Sequence, residues 1–322
     1  METAFTRHAG VQVPLICGPM YPCSNPELVA AVSEAGGLGV IQPISLTYVH
    51  GHEYRAGLRY LRSLTSKPIG FNALIEGGNK TYLDRMRLWI DVALEEGVRF
   101  FITSLGNPKW VCERVHAAGG VVYHDVTERK WAQKGIDGGV DGLIAVNSRA
   151  GGHAGRLGPE ALFDELASFG LPVVSAGGVG TPEEFARRLA IGYAAVQLGT
   201  RFIATKECKA SDAYKQAIVD AQEDDIVHTE RLTGVPVAVI RNAYIDRLGT
   251  AVGGFARWML KGRRTKHWMR TWYAINSIRR LKNSLMKSDV DTDYWQAGKS
   301  VAGIHDVRPA AQIVREYAAA LD

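Results

Sequence analysis

Eight short apolar runs, each followed by an amphipathic stretch, restrict how this 322-residue chain can fold more than any other feature in it. The runs cover residues 13–20, 37–43, 68–74, 99–105, 120–126, 142–147, 172–179 and 195–202, and each ends at or near Gly, Pro or Asn. They are rich in Val, Ile and Phe and do not alternate strictly between apolar and polar. Strands buried on both faces read this way, because a parallel sheet covered by helices has no wet face. The intervening stretches, 25–35, 53–64, 82–96, 109–118, 128–135, 159–169, 182–191 and 210–220, carry helical spacing. Two helix starts are well marked. Ser24-Asn25-Pro26-Glu27 sets capping residues ahead of Pro and Glu, and Thr181-Pro182-Glu183-Glu184 adds carboxylates near the positive helix end. Eight strands alternating with eight helices predict a closed parallel (β/α)8 barrel, a TIM barrel. An open doubly wound sheet is the runner-up, disfavoured by the count and by the nearly even spacing through residue 202.

Barrels of this kind use about 250 residues or more as one unit, so residues 1–322 are expected to form a single domain. Residues 203–322 are less regular and read as a mostly helical extension covering the barrel mouth. It contains a turn at Thr233-Gly234-Val235-Pro236, an apolar run after it and a closing helix over 309–321. Within it, 255–288 carries many Lys and Arg and no Asp or Glu. The formal charge of +5 is therefore local, and the rest of the chain is slightly acidic. Arg beside Trp in that segment suits anionic lipid or nucleic acid, but a solvated helical lid with its tryptophans packed on the barrel is the favoured reading. An oligomer interface is a third use for it. The N-terminal residues do not read as a signal peptide, and there is no run of ~18 apolar residues that would span a membrane. Cys17, Cys23, Cys112 and Cys208 make no CxxC pair and no zinc spacing. They read as reduced thiols of a cytoplasmic protein, with no metal site.

Barrel chemistry sits where the strands end. Strand one ends Cys17-Gly18-Pro19-Met20, strand three Gly70-Phe71-Asn72 and strand five Tyr123-His124-Asp125. Strand seven ends in Ala176-Gly177-Gly178, and strand eight in Gln197-Leu198-Gly199-Thr200. Glycines after these last two strands let backbone N–H groups approach a phosphate with no Cβ in the way. Tight turns that need Gly for backbone reasons alone are the plainer alternative. After strand six comes Ala150-Gly151-Gly152-His153-Ala154-Gly155. Its glycines leave the imidazole on a bare loop at the mouth, where it can accept a proton or stabilise an anion near neutral pH. His124 is the rival, with a polar residue bonded beneath a cofactor as its plainer reading. P-loop, H-E-x-x-H and G-x-S-x-G patterns are absent, which removes three common enzyme classes.

These motifs together resemble the nitronate monooxygenase family and the related flavin-dependent enoyl-acyl-carrier-protein reductases. The resemblance runs through Gly18-Pro19-Met20 and residues 30–39, 68–72, 150–155, 176–178, 197–202 and 294–304. It implies an FMN across the mouth, with Gly18, Pro19 and Met20 against the ring and Asn72 bonded to it. Asp125, Gly152 and Ala176 belong to the implied cofactor site, Gln197 lies beneath the cofactor, and Gly177, Gly178, Gly199 and Thr200 hold the phosphate. His153 matches the family's active-site histidine. The implied reaction is oxidation of alkyl nitronates, or nitroalkanes, with O2. The alternative is an NAD(P)H-dependent reductase acting on an enoyl thioester or quinone. Expected partners are a small anionic substrate, O2 and a second copy of the chain in a homodimer, with no nucleic acid and no membrane insertion. Three positions depart from the pattern: Tyr21-Pro22-Cys23, where Tyr21 lines the pocket; Ser148-Arg149, where Arg149 favours an anion or points to solvent; and the basic segment itself.

Overall fold

The computed structural model describes residues 1–75, 80–232, 234–250 and 293–321. The basic segment 255–288 thus lies outside the described residues. Eight parallel strands close on themselves in chain order: β1 (Leu15–Cys17), β2 (Leu38–Ile41), β3 (Ile69–Leu74), β4 (Phe100–Ser104), β5 (Val121–Val126), β6 (Gly142–Val146), β7 (Val173–Ala176) and β8 (Ala195–Leu198). The seam pairs Ile16 with Gln197 and Cys17 with Leu198. All eight fall inside the apolar runs, and the eight expected helices are present. This is a TIM barrel.

Each helix is held by the stripe it buries. In α3 (Tyr54–Leu64), Tyr54, Leu58 and Leu61 face the barrel at helical spacing, while Arg55, Arg59 and Arg62 ride the other face. Glu53 caps it, accepting from the N–H groups of Arg55 and Ala56. Thr181 caps α8 (Pro182–Ile191) with Glu184 in a capping box, as the sequence predicts. The start of α2 (Pro26–Glu34) differs. Asn25 stands at the cap position, but its amide donates instead to Glu27 and to the Glu207 carbonyl, tying the helix to the chain after β8.

The barrel interior is filled by residues two apart along each strand, Ile16, Leu38, Val40, Phe100, Ile102, Tyr123, Ile144, Val174, Ala176 and Ala195 among them. A short helix unforeseen in the sequence, α1 (Ala4–Ala9), closes the N-terminal end. Phe5 meets the rings of Phe100 and Tyr123 edge-on at 5.5 and 6.1 Å. The other face of the strands packs on the helices in two larger clusters.

The chain after β8 forms α9 (Thr200–Ile203), α10 (Asp212–Asp220), α11 (Ala243–Leu248) and α12 (Ala310–Ala319). It is not helical throughout. Strands β9 (Ile226–Thr229) and β10 (Val237–Ile240) pair antiparallel, from Ile240 opposite Ile226 to Val237 opposite Thr229. The apolar run after the Gly234 turn is the second of these strands. Among the described residues no helix is long and apolar enough to cross a membrane.

Candidate active site

Strand parity decides which side chains reach the mouth. Counting two residues on from the interior set gives Gly18, Gln42, Asn72, Ser104, Asp125, Val146 and Gln197 at the C-terminal end. Asn72, Asp125, Ala176 and Gln197 therefore lie together toward the C-terminal end of the barrel interior. His124 does not. It points out through the wall, where its Cδ2 would lie 3.2 Å from a Cβ on Gly135 of α6 (Arg129–Asp137), and its Nδ1 is 2.8 Å from the Thr103 hydroxyl. Burial lowers its pKa to about 4, so it is a neutral wall residue and no rival to His153.

This end of the interior keeps unpaired polar atoms. Gln197 Oε1 and Asp125 Oδ1 are shielded from water and have no partner, and Asn72 makes only a long 3.5 Å bond to the Ile102 carbonyl. Gly18 is glycine because Gln197 folds across it: a Cβ there would lie 2.8 Å from Gln197 Cγ. Met20 reaches over to Gly199, where a Cβ would come 3.6 Å from its sulfur.

The glycines after β7 have two duties. Gly177 and Gly178 adopt φ of 114° and 75°, values that disfavour a side chain. Their Cβ directions are already taken, by Ala150 at 2.6 Å and by Arg149 at 2.6 Å. Glycine is thus required for loop packing. The opposite edge of the same backbone is left unused: among the described residues the N–H groups of Gly177, Gly178, Gly199 and Thr200 have no partner. Thr200 keeps its hydroxyl occupied by the Gly298 N–H at 3.0 Å. Backbone N–H groups in such a row can bind an anion.

The loop carrying His153 is locked rather than bare. Gly152 exchanges backbone bonds with Ala238 of β10, at 3.3 and 2.8 Å. A Cβ on Gly151 would strike Gly298 N at 2.8 Å, and one on Gly155 the Val146 carbonyl at 2.4 Å. Asn147 anchors the base of the loop, donating to the Gly177 carbonyl at 3.0 Å. His153 itself is exposed at the rim. Arg149 is partly exposed, and Glu223 takes its guanidinium through two bonds of 2.9 and 2.7 Å. Tyr21 is half-buried against Leu232, Val237, Val239, Ile245 and Tyr294, so its ring supports the hairpin end of the mouth. Ser104 and Gln42 were not among the expected site residues, although each ends a strand on the inward parity.

A family model described as nitronate monooxygenase matches residues 2–319. This chain belongs to the nitronate monooxygenase family. A nitronate monooxygenase of Pseudomonas aeruginosa is 31% identical over 68% of this chain and 74% of its own length. A Mycobacterium tuberculosis protein named (3aS,4S,5R,7aS)-5-hydroxy-7a-methyl-1-oxo-octahydro-1H-indene-4-carboxyl-CoA dehydrogenase is 29% identical, covering 97% of this chain and 93% of its own. Among solved structures, FabK from Thermotoga maritima superposes with a TM-score of 0.81 at 27% identity, over all of this chain and 96% of that one. Members of the nitronate monooxygenase family are flavin-dependent oxidoreductases, and this chain is an oxidoreductase of that family.

Proposed function

We propose that this chain binds FMN across the barrel mouth and oxidises a small carbon anion, an alkyl nitronate, with O2 as the electron acceptor. The observation that carries the reading is the row of unpartnered N–H groups on Gly177, Gly178, Gly199 and Thr200, at two neighbouring strand ends and three of them on glycines. Those groups would hold the phosphate. Gly18, Pro19 and Met20 would lie against the ring, and Asn72, Asp125, Ala176, Gln197 and Gly152 would line the remainder. Bound FMN supplies the redox chemistry; the chain supplies position, charge and proton handling.

His153 is the substrate-facing group in this reading. An imidazole can stabilise the nitro group of a bound anion, or remove the α-proton when a neutral nitroalkane is presented. His153→Ala is expected to retain FMN and to lower turnover of a neutral nitroalkane by ~10²–10⁴. A preformed nitronate needs no proton removed, so its oxidation should fall less. An unchanged rate with both would remove His153 from the chemistry.

A second reading is favoured by one observation: the relative that covers 97% of this chain is a carboxyl-CoA dehydrogenase by name. An acyl thioester, like a nitroalkane, is acidic at the carbon next to its electron-withdrawing group, so the same base and flavin serve both. Anaerobic mixing separates the readings. Bleaching of the flavin absorbance by propionate 3-nitronate supports the first. Bleaching by an acyl-CoA but not by the nitronate supports the second, and bleaching by NADH alone points to a reductase.

A further inference from the structure

The donors that follow β7 owe their direction to the neighbouring strand. Asn147 comes directly after β6 and is fully buried. Its backbone N–H donates to the Ala176 carbonyl at 3.0 Å, and its side-chain Nδ2 donates to the Gly177 carbonyl, also at 3.0 Å. One residue therefore holds the carbonyls of two successive peptides. In a trans peptide the C=O and the N–H that follows it point in opposite directions. Fixing the Ala176 carbonyl turns the Gly177 N–H away from Asn147, and fixing the Gly177 carbonyl does the same to the Gly178 N–H. Strand β7 lies between β6 and β8, so both are turned to the side on which β8 ends, where Gly199 and Thr200 offer theirs.

Successive carbonyls of an extended strand face opposite ways, so two of them cannot meet one neighbour unless the backbone turns between them. It turns at Gly177, with a φ of 114° that residues with a side chain rarely adopt. Nor can the Asn147 amide face the other way. Its Oδ1 accepts from the Arg149 N–H at 2.9 Å, at the base of the His153 loop, which leaves Nδ2 for Gly177. A carboxylate of the same shape can only accept, and a leucine does neither.

We propose that Asn147 is a positioning residue for the cofactor's phosphate: by holding the Gly177 carbonyl, its side chain aims the Gly178 N–H at the anion. The inference rests on the FMN reading above and adds a residue that acts on the phosphate through the β7 loop. Only the Gly177 bond is made by the side chain. A substitution therefore frees the Gly178 donor and leaves the Gly177 donor in place.

The test compares FMN with riboflavin, titrated against the apoproteins of the wild type, Asn147→Ala and Asn147→Leu and followed by flavin fluorescence. Riboflavin has the ring and no phosphate, so the ratio of the two affinities reads the phosphate donors, whatever a substitution does to the ring site. In Asn147→Ala the preference for FMN is expected to fall about tenfold, the usual worth of one hydrogen bond to a charged group, with riboflavin affinity unchanged. Asn147→Leu, which restores volume without a donor, should show the same fall. Lost packing alone would lower both affinities together and be repaired by leucine. A preference that stays at the wild-type value in either variant, or that Asn147→Leu restores, overturns the proposal. Should Asn147→Ala fail to fold, Asn147→Leu decides alone. A wild type that does not distinguish FMN from riboflavin sinks the phosphate grip itself, a different result from a preference that survives the loss of Asn147.

Discussion

The two ends of the barrel interior are built from the same strands and treated in opposite ways. At the N-terminal end Phe5, Phe100 and Tyr123 fill the space, and the Tyr123 hydroxyl is 3.1 Å from His8 Nδ1. At the C-terminal end Gln197 Oε1 and Asp125 Oδ1 are buried without partners, and four loop N–H groups are unclaimed. Each unsatisfied buried group costs about 1–3 kcal/mol, so the mouth is held in a state less stable than the same strands could provide. The closed end stabilises the fold; the other end is the one our proposal assigns to the cofactor.

Substitutions that exchange the character of the two ends test this contrast. The largest stability effect belongs to the closed end. Tyr123→Ala should lose about 3–5 kcal/mol, the usual cost of emptying a large aromatic site. Denaturant unfolding checks it, and FMN affinity of the folded fraction should be unchanged. At the open end Gly177→Ala should cost about 1–2 kcal/mol for the left-handed backbone, plus relief of the 2.6 Å approach to Ala150. Its FMN affinity should drop more than its stability suggests, because the loop that offers the N–H groups must move.

Asp125→Asn should do the reverse for the apoprotein. A raised pKa means that the folded state holds its proton more tightly than the unfolded chain. Stability is then unaffected below about pH 4, falls as pH rises from the ordinary carboxylate range to about 6, and stays low above it. The substitution should therefore stabilise the apoprotein at pH 8 by about 1–3 kcal/mol and leave it unchanged at pH 4. Thermal melts at the two pH values read this. A melt difference that is the same at both would show that burial does not penalise the charge. The smallest effect is expected at Glu223→Ala. Its ion pair with Arg149 is partly exposed, worth under about 1 kcal/mol, and lies behind the His153 loop.

The eight-fold alternation was legible because each strand is buried on both faces and each helix on one stripe, so both periods survive in the residue pattern. The glycine pairs and His153 were visible for the same local reason. What local pattern does not carry is which neighbour a residue meets. Nothing in Ala150-Gly151-Gly152 announces that β10 and Gly298 pack on it, since those contacts join segments far apart in the chain. Arg149 reads as an anion receptor until Glu223 is seen to hold it. The His124 and Asp125 pair could have been sorted from sequence: on a strand, Tyr123 in the interior puts Asp125 inward and His124 outward. Ser104 could have been found by the same count on β4. The helix at Ala4–Ala9 is short, and only its packing across the barrel end gives it a reason to form.

The account stands on the phosphate grip, and comparing FMN with riboflavin tests it most directly. The two share a ring and differ by the phosphate. The unpartnered N–H groups of Gly177, Gly178, Gly199 and Thr200 predict that the apoprotein binds FMN at least about 100-fold more tightly than riboflavin, as charge-assisted bonds to backbone donors require. Equal affinity for the two, or binding of neither, would contradict it.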